Sequence, residues 1–380
     1  MFKQKLYNVI KKIITFSLRF IFIKKNYKKI SFMSFPDLSD NSWYLFNYIN
    51  DNRENLILVW LIDQDLSKTK LNSLKNKNKN NKLLFIKKKS FRGIYHFLSS
   101  RIVFFTHIPY FFSQKNLGPT QVNLWHGMPI KKIGVYRHKK LLYFYGDFAI
   151  STSDKYSEIL SNAFGIQKKS ILPFGLPRND ILVNKKNIFF NKKNLKLVLW
   201  LPTFRNTKSF TEIKDSTKEN FLMEWPLNFL DDLNQAAKKY KTLIIIKTHP
   251  LDNLRILKKY SNITHLKNDD LTKLNLDLQD LISVSDGLIT DISSVIIDYI
   301  LTKKHLGITI NSIKTFKRGL ISELKLFNNL KFHSIKNIND FKNFFKKINT
   351  NQKVNTDPKN IFYSKKAINS SKQITKFFNI

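Results

Sequence analysis

The chain has 380 residues, 42% of them apolar, and a formal net charge of +39 at pH 7. That length exceeds what one ordinary core covers, and 33 Phe supply core material for two domains, which excludes general disorder. The absence of Cys excludes a disulfide framework, a thiolate nucleophile and any Cys-ligated metal or iron–sulfur site. Part of the positive charge reflects Lys, Asn, Ile and Phe being abundant together, as an A+T-rich coding sequence produces. The remainder points to an anionic partner, because Asp and Glu together number only 27.

At the start, Phe2, Leu6, Val9, Ile13, Phe16, Phe20 and Ile23 make one helical stripe, with Lys5, Lys11, Lys12 and Lys25 largely off it. Residues 1–28 therefore form a basic amphipathic segment. It either lies on an anionic membrane surface or packs on the protein's own core. The apolar run from Ile13 to Ile23 is too short to span a bilayer, contains Arg19 and has no cleavage site after it.

From Lys29 onward strands and helices alternate. Lys29 to Phe35, Asn55 to Ile62 and Leu83 to Ile86 read as strands, as do Arg101 to Thr106, Gln121 to Trp125 and Asp147 to Ser151. Trp43 to Ile49, Phe91 to Leu98 and Tyr156 to Phe164 read as helices, and the Lys/Asn run 73–82 as a solvated loop. The Lys/Asn-rich stretch 184–194 breaks the alternation. Beyond it come strands at Leu195 to Leu201, Thr242 to Lys247, Gly287 to Thr290 and His305 to Ile310. Helices at Phe229 to Tyr240, Leu274 to Val284 and Ser293 to Leu301 separate them. Alternation of this kind predicts an α/β protein with two parallel-sheet domains, one over 29–190 and one over 195–380. The C-terminal helices are given the option of packing back on the first domain.

Several turns at strand ends carry chemistry. Trp125-His126-Gly127-Met128-Pro129-Ile130-Lys131 holds an imidazole at a sheet edge, with Gly127 and Pro129 fixing the backbone. An imidazole titrating near 6.5 suits a base that takes a proton from a hydroxyl. Lys131 and Lys132 stand ready for an acceptor phosphate. Lys247-Thr248-His249-Pro250 has the same form, and His249 beside Lys247 can donate to a phosphate oxygen or protonate a leaving group. Each histidine can instead serve a local turn.

In Thr290-Asp291-Ile292-Ser293-Ser294, Asp291 is placed to cap the following helix and the serines to hold an anion there. Asp298 lies four residues beyond Ser294. Ordinary helix capping explains the same residues. Pro202-Thr203-Phe204-Arg205 and Gly175-Leu176-Pro177-Arg178-Asn179-Asp180 offer guanidinium groups to a diphosphate, although an isolated turn Arg is also often solvated.

Glycine-rich phosphate loops and the Gly-x-Ser-x-Gly elbow are absent. Asp63-Gln64-Asp65 reads as a solvated acidic turn, so no metal site and no cofactor are expected, and charge on a transferred phosphoryl group falls to Arg, Lys, His and helix dipoles.

Taken in order, Trp125 to Lys131, Gly175 to Asp180, Pro202 to Arg205, Lys247 to Pro250 and Thr290 to Ser294 with Asp298 resemble the CDP-glycerol glycerophosphotransferase family. These are the polyol-phosphate transferases of teichoic acid and capsule synthesis, and the match spans roughly 120 to 300. The resemblance implies two Rossmann-like domains facing across a cleft, the GT-B type. It implies an N-terminal acceptor domain and a C-terminal domain for the CDP donor.

The implied reaction transfers a polyol phosphate, glycerol phosphate first, from CDP-glycerol or a related CDP-polyol to a lipid-linked or polymer acceptor, with release of CMP. The enzyme would work peripherally, at the cytoplasmic side of the membrane. By the family pattern His126 is the base, His249 contacts the donor phosphates, and Ser293 and Ser294 bind the diphosphate with Arg205 nearby. Met128 stands where the family usually has Thr, and Ile292 where an aromatic is common. The chain's size resembles the short, primase-like members.

Two rivals stand beside this reading. A GT-B glycosyltransferase would use a nucleotide sugar on the same fold. A nucleic-acid-binding protein is suggested by charge alone, but the basic residues are dispersed and no binding motif appears, so no specific nucleic acid is expected.

Overall fold

The computed structural model describes residues 23–67, 71–74, 80–110, 118–137, 144, 146–183, 194–203, 205, 220–249, 252, 254, 256, 258–274, 276–313, 319–350 and 361–380. Residues 1–22 of the basic segment, 75–79 of the polar run, 184–193 of the boundary stretch and Pro250 lie outside the described residues.

Two parallel sheets form. The first contains β1 (Asn26–Met33), β2 (Ile57–Ile62), β3 (Lys82–Lys87), β4 (Ser100–Phe105), β5 (Thr120–Asn123), β6 (Phe148–Ile150) and β7 (Ile171–Leu172), in the order β3-β2-β1-β4-β5-β6-β7. The second contains β8 (Lys196–Leu201), β9 (Thr242–Lys247), β10 (Ile263–Leu266), β11 (Gly287–Thr290), β12 (His305–Thr309) and β13 (His333–Ile335), in the order β10-β9-β8-β11-β12-β13. The strands pair in parallel throughout both sheets. Ile57-Leu-Val-Trp-Leu-Ile62 in β2 and the Ile-rich β9 are near-continuous apolar runs, as strands covered on both faces must be. In each sheet the order reverses beside the first strand, between β1 and β4 and between β8 and β11. Ligands of doubly wound proteins bind outside the carboxyl ends at such a point.

The described residues divide into two compact units. The first holds the chain to Met128, residues 144 to Asp180 and 361 to Ile380, and the second holds Pro129 to 137 and Ile181 to 350. In the first, α1 (Asp40–Asn52) lays Leu45, Phe46 and Ile49 on the sheet, and Phe46 meets Phe32 and Trp60 with ring centroids 5.4 and 5.7 Å apart. On the opposite face α2 (Phe91–Ser99) brings Phe97 and Leu98 against Val59, Val103 and Phe105. Next in the chain is α3 (Asp154–Phe164), closed by Gly165 in the left-handed conformation. In the second unit α4 (Phe229–Lys239) packs against Trp200 of β8 through Phe229, at 6.0 Å between rings. There α5 (Leu278–Val284) starts later than the apolar pattern predicts, because Asp277 and Asp280 close a capping box. The short α6 (Val295–Tyr299) follows β11, and α7 (Ile338–Asn349) completes the core with Phe341, Phe344, Phe345 and Ile348.

The C-terminal α8 (Ser370–Phe377) belongs to the first unit. The carboxylate of Asp180 accepts from the amides of Ser370 and Ser371 at 2.6 and 2.9 Å, and Phe377 and Phe378 pack on Phe148. Gly175 sits against this segment at φ +87°, where a Cβ would lie 2.4 Å from the carbonyl oxygen of Ala367 and from Ser370 Oγ. Both the left-handed backbone and the contact exclude a side chain. Gly175→Ala is expected to lower stability by about 3 kcal/mol. Urea unfolding should show it, with amide exchange localising the loss to the first unit; unchanged midpoints would refute the packing argument.

Candidate active site

In the first unit the turn after β5 is sharply bent. Trp125 is left-handed at φ 60° and Gly127 lies at φ 127°, so the chain reverses around His126. A peptide bent this way leaves its carbonyls without ladder partners, and these must be satisfied from elsewhere.

Asn41, fully buried in the first turn of α1, donates from Nδ2 to the carbonyls of Leu124 and Trp125 at 3.2 and 2.9 Å. Its Oδ1 accepts from the amide of Arg178 at 3.1 Å. Arg178 Nη1 in turn donates to the carbonyl of His126 at 3.1 Å and pairs with Asp40 at 2.7 Å. The Arg178 guanidinium thus holds the histidine turn to α1. Met128 is fully buried, and Gly127 and Pro129 are buried beside it, so these three shape the backbone.

The imidazole of His126 lies in a stack of rings. Trp125 is parallel to it at 5.4 Å on one side, and His107, from the turn after β4, is parallel at 4.7 Å. His126 Nδ1 faces the carbonyl of Thr106 at 3.4 Å; a carbonyl only accepts, so the proton sits on Nδ1 and Nε2 keeps its lone pair. One edge of His126 stays exposed, while burial of the rest holds its pKa below the ordinary value, against the pull of Asp40 and the Thr106 carbonyl. His107 is also held low, first by burial and then by the neighbouring His126.

In the second unit the turns after β8, β9 and β11 carry the remaining predicted residues. The Asp291 carboxylate accepts from the amide of Thr203 at 3.1 Å, from the Thr203 hydroxyl, and from Arg205 Nη1 at 2.7 Å. Arg205 also pairs with Glu224 at 3.0 Å, and both Arg205 and Asp291 are only 1% exposed. Asp291 therefore does not cap α6, as the sequence suggests. It locks the turns after β8 and β11 together across the reversal in strand order. Ser294 takes the cap position without a side-chain bond, and the Ser293 hydroxyl accepts from the amide of Val295 at 3.4 Å.

Ser293 and Ser294 are partly exposed, whereas Asp298 is buried in α6. Lys247 ends β9 almost wholly buried, with Nζ 3.3 Å from the carbonyl of Thr248, and burial pushes its pKa down to about 8. His249, at the next turn, keeps part of its side chain exposed, while burial of the rest, and then Lys247, hold its pKa below the ordinary value. Lys131 forms an antiparallel bridge with Leu320, and the amide of Lys132 donates to Gly319 at 2.9 Å, so this pair stands in the second unit.

The CDP-glycerol:poly(glycerophosphate) glycerophosphotransferase family model matches residues 14–373. The chain belongs to this family. A teichoic acid poly(glycerol phosphate) polymerase of Staphylococcus epidermidis is 24% identical over 322 residues, covering 77% of this chain and 42% of that protein. A teichoic acid ribitol-phosphate primase of Bacillus spizizenii is 28% identical over 244 residues, covering 57% and 58%. The chain spans about half the length of these two curated relatives. Among solved structures, that of the wall teichoic acid polymerase TagF aligns over 100% of this chain and 97% of its own, with a TM-score of 0.71 and 21% identity. At that identity the likeness establishes the fold, two Rossmann-like domains of the GT-B type.

Motif reading did not find four residues of this glycerophosphotransferase-family chain that hold the turns in place: Asp40, Asn41, His107 and Glu224. His107 was visible in principle, since Thr106-His107-Ile108-Pro109 has nearly the form of Thr248-His249-Pro250. Asp40 and Asn41 follow Ser39 at a helix start, a signal that reads as capping alone. Glu224 has no local signal. Removing the guanidinium between two buried carboxylates leaves uncompensated charge, so Arg205→Ala is expected to cost about 3–5 kcal/mol. Denaturant unfolding checks this, and a loss below about 1 kcal/mol would show that the carboxylates find other partners.

Proposed function

We propose that the chain transfers a polyol phosphate, glycerol phosphate first, from a CDP-activated donor to a hydroxyl of a lipid-linked or polymer acceptor. CMP is released, in the synthesis of teichoic acid or a related polymer. The observation that carries this reading is the family match across residues 14–373, joined to an imidazole held with Nε2 unprotonated at the turn after β5.

In the reaction, Nε2 of His126 takes the proton of the acceptor hydroxyl as its oxygen attacks the donor's β-phosphorus. The new P–O bond forms while the bond to the bridging oxygen breaks, and CMP leaves with that electron pair. A phosphate leaving group needs no proton at neutral pH. His249, held below its ordinary pKa, is therefore assigned as a neutral N–H donor to the diphosphate and not as an acid. Lys247 remains a cation at neutral pH with its pKa near 8 and supplies positive charge for the developing phosphate dianion. Ser293 and Ser294 are assigned to the same anion, with Thr203, Arg205 and Asp291 fixing the turn that presents them.

The family name supplies the CDP-glycerol donor, and the relatives' names include both glycerol phosphate and ribitol phosphate. A net charge of +39 suits an enzyme that works against an anionic membrane surface, at its cytoplasmic face. No helix of the described residues is long and apolar enough to cross a membrane. A donor screen with CDP-glycerol, CDP-ribitol and several nucleotide sugars tests the assignment. CMP release with glycerol phosphate added to the acceptor supports it, and nucleoside diphosphate release from a nucleotide sugar would favour glycosyl transfer.

His126→Ala is expected to reduce transfer by about two to four orders of magnitude while CDP binding persists. Near wild-type turnover would remove His126 from the mechanism. The pH profile follows from the same group. A base whose pKa is depressed stays unprotonated to lower pH, so kcat/KM should hold through 6.5 and decline only below it. An acid limb centred above 6.5 would contradict the environment described for His126.

A further inference from the structure

We propose that a cavity of about 280 Å³ in the first unit, at the carboxyl ends of β1, β2 and β4, is the subsite for the hydroxyl-rich end of the acceptor, a polyol or sugar. This rests on the transferase reading above and adds where, and by what chemistry, the acceptor is held. Ser34, Phe35, Asp63, Lys88, His107 and Ile108 line the cavity.

The lining combines groups that suit a neutral polyhydroxyl compound. Asp63 stands 3.7 Å from the ammonium groups of both Lys88 and Lys89, ion pairs loose enough to leave carboxylate lone pairs for hydroxyl donors. Asp37 is close by, accepting from the amides of Asp63 and Gln64 at 2.9 Å. Lys88 and Lys89 offset the two carboxylates, so the lining has no net positive charge to draw a diphosphate and suits an uncharged hydroxyl cluster better. Phe35 and Ile108 are 67% and 60% exposed and offer apolar contact to C–H faces.

Position completes the argument. His107 is a wall of the cavity and stacks on His126 at 4.7 Å, so a hydroxyl seated in the cavity lies one ring away from the proposed base. The acidic turn Asp63-Gln64-Asp65 thereby divides its roles. Asp65 is exposed and pairs with Lys87 at 2.8 Å, while Asp63 faces the cavity.

The test compares the full wild-type chain with Asp63→Asn, which keeps the shape, and Ile108→Trp, which fills the mouth from an exposed position. Glycerol and a methyl hexosaminide serve as acceptor probes, with CDP-glycerol as donor. Both variants should raise the acceptor KM about tenfold and leave the CDP-glycerol KM unchanged. Saturation-transfer NMR of the same probes should weaken in parallel. Wild-type acceptor KM values and undiminished NMR signals in both variants would overturn the subsite. Loss of those signals in both variants, from a chain that releases no CMP, would uphold the subsite while refuting the transferase reading.

Discussion

A bent peptide cannot feed its carbonyls into a sheet ladder, and the turn around His126 exists because one amide side chain accepts that burden. Asn41 covers two of the carbonyls, and the amide it receives in exchange belongs to Arg178, whose guanidinium covers a third. Helix, strand end and the Pro177 turn thus meet in one buried polar knot. Such a knot tolerates no missing member, because a buried group left unsatisfied in a low-dielectric setting costs more than its hydrogen bond contributes net. The imidazole inherits its orientation from this arrangement and its tautomer from the Thr106 carbonyl.

The second unit solves a similar problem with charge. Its strand order reverses between β8 and β11, where two turns emerge side by side. Asp291 binds them by accepting from the Thr203 amide and hydroxyl, and Arg205 with Glu224 balances the charge. A guanidinium that reads in sequence as a phosphate contact is here the counter-ion of two carboxylates. The predicted residues left at least partly exposed at these turns are His249, Ser293 and Ser294.

Much of the architecture was legible because parallel strands covered on both faces must be apolar throughout. β2, β4, β8, β9, β11 and β12 all stand within a residue or two of their apolar runs. What escaped was two-residue β7, the edge strands β10 and β13, and the bounds of helices α7 and α8; α7 carries a clear apolar stripe, Phe341, Phe344, Phe345 and Ile348, that went unread. The site divided along the same line. Residues in turns beside Gly or Pro were readable, since those residues announce fixed backbone. Asn41 and Glu224 were not, because their importance comes from partners 83 and 19 or more positions away. His107 went unread for a different reason: its turn carries a Pro two places on instead of adjacent.

The seating of α8 bears on how the chain is made. The first unit is built from residues near the start of the chain, yet its surface is closed by Thr152 bonding to the carbonyl of Phe362, and by Asp180 capping a helix near residue 370. During synthesis the intervening unit is made before that closing helix. The later-made unit can therefore mature first, while the earlier one waits with a bare aromatic face on Phe148 and Phe174. On a ribosome this inverts the usual N-to-C order, and it leaves that aromatic face as the surface most in need of chaperone cover.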